Sequence, residues 1–142
     1  MSKILEQETQ FTDIHIIREA LEQQGFTPVF NADYTARTMQ GYQHQKFKAN
    51  VGVTSDNFKK VTGLHTFGDL GFARKADGTI GFTGDDLLIE TPAFATVYDG
   101  IRSAYAERKY VQELYLGGFA LASREVTKNG EVELTFTQIG SL

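Results

Sequence analysis

The chain has 142 residues, no cysteine, and 14 Lys+Arg against 18 Asp+Glu, for a net charge of −4. This length suits one compact domain with its own core, and the missing thiols exclude disulfides, thiolate catalysis, zinc fingers and iron–sulfur ligation by this chain. No apolar run approaches the roughly 20 residues of a membrane-spanning helix, and the opening MSKILEQETQ lacks the basic and apolar regions of a signal peptide. A cytoplasmic protein is therefore expected, and the acidic balance weighs against a general nucleic-acid binder.

Only two prolines interrupt the chain and no low-complexity linker divides it, so a single α+β domain over residues 1–142 is expected. Leu5, Gln7, Thr9 and Phe11 share one side of a short strand. The first helix is predicted over Asp13–Gln24: Thr12 or Asp13 caps it, Ile14, Ile17 and Leu21 line one face, and Gly25 stops it. Phe47, Ala49, Val51 and Val53 alternate with polar or small residues, as in a half-buried strand. Residues 54–66 read as loop. Phe67–Arg74 and Thr79–Thr83 are predicted as strands joined through Asp77-Gly78, whose glycine accepts the positive φ of a tight turn. Gly84-Asp85-Asp86 reads as a turn before a strand at Leu87–Ile89.

Thr91-Pro92 marks the start of a second helix, predicted over Ala95–Leu116 and ended by Gly117-Gly118. Phe119–Thr127 and Glu131–Ile139 flank Asn129-Gly130 as a closing hairpin. The expected architecture is α+β: a mostly antiparallel sheet with two helices packed on one face. The hairpin edge and the apolar stripe of residues 97–115 favour self-association into a homo-oligomer.

Several motifs in order resemble an uncharacterised family, the hypothetical chloroplast reading frame thirty-five family. They are Ala20-Leu21 through Gly25-Phe26, Gly41-Tyr42, Lys48-Ala49-Asn50-Val51, Asp69-Leu70-Gly71-Phe72, Tyr105-Ala106 with Lys109, Gly118-Phe119 and the hairpin at Asn129-Gly130. The chain departs from that pattern in having no tryptophan, in the extra residues 54–66, and in Asn50, where the family usually has aspartate. The resemblance implies no established reaction. It implies an accessory or interaction module, with an ATPase as a candidate partner because bacterial relatives are often encoded beside one.

The catalytic motifs are absent. No serine lies in a nucleophile elbow, and neither phosphate-loop glycine pattern occurs. His15, His44 and His65 show no helical metal-ligand spacing, and Asp85-Asp86 with Glu90 fits a turn better than a cation site. No catalytic residue, metal or cofactor is therefore assigned. An enzyme is unsupported by these motifs rather than disproved, with hydrolysis of a bound ligand as a minority option, and a non-enzymatic module is the expectation.

The clearest functional signal is charge segregation. Arg37, Lys46, Lys48, Lys59 and Lys60 face Asp56 alone, so residues 37–60 carry +5 − 1 = +4 and the remainder −8. Tyr34, Tyr42, Phe47 and Phe58 lie among these cations. Basic groups interleaved with aromatics suit a nucleotide or similar anionic ligand, through phosphate pairing and ring stacking, while a solvated strand face is the plainer reading. The candidate ligand-binding residues are Arg37, Tyr42 and Lys48, joined by Tyr105 and Lys109 from the long helix. An anion-binding protein is thus the alternative to the accessory module.

Overall fold

The computed structural model describes residues 4–140 and divides into two compact units, Met1–Tyr105 and Ala106–Leu142. Ser141, one of the serines without an elbow, and the first three residues of the opening segment lie outside the described residues.

In the first unit, β1 (Ile4–Glu8), α1 (Ile14–Gln23), β2 (Arg37–Gln40), β3 (Lys46–Ala49), β4 (Val51–Val53), α2 (Ser55–Thr62), β5 (Leu70–Arg74), β6 (Ile80–Asp85) and α3 (Asp86–Ile89) follow in order. The helix α4 (Pro92–Leu116) gives this unit its first turns. Strands in the order β1-β6-β5-β4 form a four-stranded antiparallel sheet, and β2 with β3 forms a separate antiparallel ribbon. The α+β expectation is met. Among the described residues three helices of at least eight residues are present rather than two, because residues 54–66 contain α2.

The helices form for local reasons. Asp13 caps α1, its carboxylate accepting from the N–H groups of His15 and Ile16 at 3.0 and 3.3 Å. Gly25, at φ +93, gives the left-handed stop that a side chain resists. Thr54 caps α2 through Asn57 N–H, and α2 commits only Phe58 to the fully buried core. One apolar anchor on a short polar helix leaves no periodicity, which is why that segment reads as loop. The strand expected at Leu87–Ile89 is instead the single turn α3, capped by Asp85 Oδ1 accepting from Leu87 N–H at 3.1 Å. Thr91 likewise accepts from Phe94 N–H, so α4 starts at Pro92, ahead of the expected Ala95.

The two faces of the four-stranded sheet have different coverings. Val51, Val53, Leu70, Phe72, Ile80 and Phe82 belong to the main core with Phe11, Ile14, Ile17, Leu21, Phe58, Phe94, Ile101 and Tyr105. Phe72 contacts Phe11 and Phe82, and Phe82 stacks on Phe94 at 5.7 Å. Across the sheet lie Gly52 and Gly71, which are directly opposed between β4 and β5. A Cβ on Gly71 would stand 2.6 Å from Ala49 Cβ and 2.8 Å from the Phe47 ring, and one on Gly52 would strike the end of Met39. The ribbon therefore seats Met39, Phe47 and Ala49 on a floor made by two glycines.

Asn50 joins ribbon to sheet. The single strand expected through Val53 is divided here: Ala49 pairs with Arg37 in β2, whereas Val51 pairs with Phe72 in β5. The buried Asn50 side chain donates to Tyr34 O at 2.9 Å and accepts from Arg74 N–H at 2.8 Å. A carboxylate could not make the first of these bonds, so an asparagine at this position has a physical reason.

In the second unit, the rest of α4 precedes β7 (Phe119–Val126) and β8 (Val132–Gln138), an antiparallel hairpin with an irregularity between Leu121 and Ser123. Tyr110 meets Phe136 edge-on at 5.8 Å, and Arg124 Nε bonds the Glu107 carboxylate at 3.0 Å.

Gly71→Ala should cost about 1–3 kcal/mol by overpacking, read by urea denaturation, and Ala49→Gly in the same chain should recover part of it. Asn50→Asp should cost about 1–3 kcal/mol at neutral pH, because the Tyr34 carbonyl then faces a carboxylate. The folded state would favour the protonated acid, so that penalty should shrink as pH falls through the raised folded-state pKa.

Candidate functional site

The ribbon decides which cations face outward. Its register pairs Arg37 with Ala49, Thr38 with Lys48, Met39 with Phe47 and Gln40 with Lys46. Directly opposed residues share a face and successive residues alternate. Arg37, Met39, Phe47 and Ala49 thus lie on the inner face, where Met39 and Ala49 are buried and Arg37 and Phe47 half-buried. Thr38, Gln40, Lys46 and Lys48 form the outer face, and all four are exposed. Lys48 Nζ donates to Thr38 Oγ1 at 2.7 Å.

Arg37 and Lys48 therefore point to opposite sides of the ribbon. The Arg37 Nε is out of contact with solvent and has no hydrogen-bond partner among the described residues. Its place beside Lys48 is taken by Lys46, which shares the parity of Lys48 in the alternation of residues 46–49. That parity was available in one dimension; the register that turns Arg37 inward was not.

Tyr42 sits at the ribbon's tip, in a short 3₁₀ turn over Tyr42–His44. Gln43 and His44 both hold left-handed backbone there, at φ 49 and 66, which few non-glycine residues adopt. Gly41 N–H donates to Gln45 O at 2.6 Å and closes the tip. The tip is held from outside by the 66–69 segment. The Asp69 carboxylate accepts from Gln40 N–H and Ser55 N–H, each at 2.9 Å, while Asp69 N–H donates to Gln40 O at 2.8 Å. Gly68 passes so close that a Cβ on it would lie 3.0 Å from Gly41 Cα. Phe67, 48% exposed, then meets Tyr42 edge-on at 5.3 Å and His65 at 4.6 Å. This three-ring cluster includes Phe67, which composition alone does not single out.

The helix residues are placed differently. Tyr105 is buried, its ring 4.4 Å from Phe11, and its hydroxyl accepts from the N–H groups of Thr12 and Asp13 at 3.1 Å each. It thereby closes the start of α1 from inside the core. Lys109 belongs to the second unit, where its Nζ donates to Gln112 Oε1 at 3.3 Å. Arg102 pairs with Asp99 at 2.8 Å.

Among the described residues no group of three or more His, Cys, Asp or Glu is placed to hold a metal ion. His15 instead rests against Tyr34, with ring centroids 4.2 Å apart. The buried Asp85 uses Oδ2 to accept from Phe67 N–H at 3.0 Å besides capping α3.

Removing the Asp69 clamp by Asp69→Ala should cost about 1–3 kcal/mol in urea denaturation, since two backbone donors lose their partner. Asp69→Asn should fall between that variant and the parent, because its amide oxygen can serve only one arm of the clamp.

No curated protein and no solved structure matches the chain. A family model does match, over residues 20–135, and its description is "Protein of unknown function (DUF1257)". The match takes in most of the motifs on which the resemblance rested, and these now have structural meanings. In Asp69-Leu70-Gly71-Phe72, the aspartate clamps the tip, the glycine floors the ribbon, and Leu70 and Phe72 enter the core. In Lys48-Ala49-Asn50-Val51, an outward cation is followed by the residue seated on Gly71, the strand junction and a core side chain. With most of its length covered by that model, the chain belongs to this family of unknown function.

Proposed function

We propose that the protein is a non-enzymatic interaction module that docks the outer face of its β2–β3 ribbon against an acidic surface of a protein partner. The observation that carries this reading is the ribbon register, which sets Lys46 and Lys48 side by side in solvent with Thr38 and Gln40. The +4 charge of residues 37–60 against −8 elsewhere would orient an approaching partner. Phe67 and Tyr42 at the tip supply aromatic area of the kind that anchors interfaces. Small-molecule sites bury most of their ligand in a concavity, whereas these four side chains stand exposed, which favours a macromolecular surface. An ATPase is the partner class that the family resemblance suggests, and a cytoplasmic setting accompanies the reading.

One observation favours the second reading, capture of a small anion. The Lys48 ammonium and Thr38 hydroxyl are already 2.7 Å apart and could donate together to a phosphate or carboxylate oxygen.

The two readings separate by experiment. Exposed ion pairs contribute about 0.2–1 kcal/mol each, so Lys46→Ala with Lys48→Ala should weaken partner binding by up to roughly thirtyfold. Raising the salt concentration should weaken the parent's binding in the same direction. Stability should change by less than about 0.5 kcal/mol, since both side chains are exposed. Calorimetry against the partner recovered from extract would show this. Unchanged partner affinity in the double variant, with a nucleotide or other small anion lost from it in native mass spectrometry, would replace the first reading by the second.

A further inference from the structure

Two turns in this protein share one backbone design and differ in a single clamp. In Lys75–Thr79, Lys75 N–H donates to Thr79 O at 2.8 Å and Gly78 N–H to Lys75 O at 3.0 Å. In Thr127–Glu131, Thr127 N–H donates to Glu131 O at 2.8 Å and Gly130 N–H to Thr127 O at 2.9 Å. Gly78 and Gly130 hold φ +86 and +80. The residue before each glycine is Asp77 in the first turn and Asn129 in the second.

Asp77 is held in place. Its Oδ1 accepts from Thr79 N–H at 3.0 Å and from the Thr79 hydroxyl at 2.6 Å, and these bonds keep its carboxyl below the usual pKa. In the second turn the threonine stands at the opposite end. The hydroxyl of Thr127 takes the Glu131 N–H at 3.1 Å, so the donor that would have held Asn129 is spent elsewhere. The other asparagines are all engaged: Asn31 with Thr35, Asn50 with Tyr34 and Arg74, and Asn57 with Thr27. They precede Ala32, Val51 and Phe58, whereas Asn129, which is exposed, precedes a glycine.

We propose that Asn129-Gly130 is a self-modifying site, at which the unclamped asparagine deamidates through a succinimide while the geometrically matched Asp77-Gly78 is protected. When the turn opens and the Gly130 N–H leaves Thr127 O, that nitrogen gives its proton to hydroxide and attacks Asn129 Cγ. The N–Cγ bond forms, the Cγ–Nδ2 bond breaks, and ammonia leaves with a proton from water. Water then opens the ring at either carbonyl, leaving aspartate or isoaspartate. Glycine matters because it puts no side chain in the path of the attacking nitrogen. The product gains a negative charge beside Glu131. The isoaspartate form also lengthens the backbone inside the turn that sets the β7–β8 register.

The full-length protein, folded and in urea, is incubated at neutral and mildly alkaline pH and then mapped by peptide mass spectrometry. In the folded chain Asn129 should gain the mass of an amide-to-acid conversion within about tenfold of its rate in urea, because exposed turns open at little cost. The rate should rise with pH, while Asn31, Asn50 and Asn57 keep their amides. Thr127→Lys with Glu131→Thr, which transplants the Asp77 clamp, should slow the conversion. An Asn129 that stays intact in the folded chain while converting in urea would overturn the proposal. So would an unslowed rate in the clamped variant whose circular dichroism matches the parent.

Discussion

The arrangement of the first unit depends on one close approach, the seating of the β2–β3 ribbon on Gly52 and Gly71. These glycines are directly opposed in β4 and β5, and a Cβ on either would occupy space now filled by Met39, Phe47 or Ala49. Interiors are close-packed, so a single methyl at this level would have to lift the ribbon or bend the sheet. Once the ribbon's apolar side is held down, the two-residue period of a strand leaves no choice for the other side. Lys46 and Lys48 must face water. The outward cations are a geometric consequence of the inward packing.

Two polar side chains hold the ribbon against this floor. Asn50 fastens its sheet end by bonds to Tyr34 and Arg74, and Asp69 fastens its tip by bonds to Gln40 and Ser55. Each makes two side-chain hydrogen bonds that tie the ribbon to a neighbouring segment. The strained tip, with consecutive left-handed residues Gln43 and His44, is tolerated because its neighbours fix it. The aromatic group of Tyr42, Phe67 and His65 is thereby presented from a defined backbone.

The α+β class, the first and last helices and the closing hairpin were legible because each has a local cause: a cap, an apolar stripe, a glycine stop or an Asn-Gly turn. The division at Asn50 was not, since Phe47, Ala49, Val51 and Val53 keep strict alternation across it, and the bonds that divide the strand reach Tyr34 and Arg74. Helix α2 was hidden by having only Phe58 in the fully buried core, although Thr54 carried its capping signal. At the candidate site, the alternation of 46–49 was enough to turn Lys48 outward and would have brought Lys46 with it. The inward position of Arg37 depends on pairing with Ala49, and the hydroxyl of Tyr105 serves Thr12 and Asp13 on a distant part of the chain. Neither contact leaves a mark in local sequence.

The direction in which the ribbon faces is the central claim, and nuclear Overhauser contacts measure it most directly. The ε-methyl of Met39 should show strong contacts to the α protons of Gly52, and the Phe47 ring to those of Gly71, while the Lys46 and Lys48 side chains show none to the four-stranded sheet. Contacts from either lysine to Gly52 or Gly71, with Met39 and Phe47 free of them, would mean that the ribbon is turned over and would contradict the account.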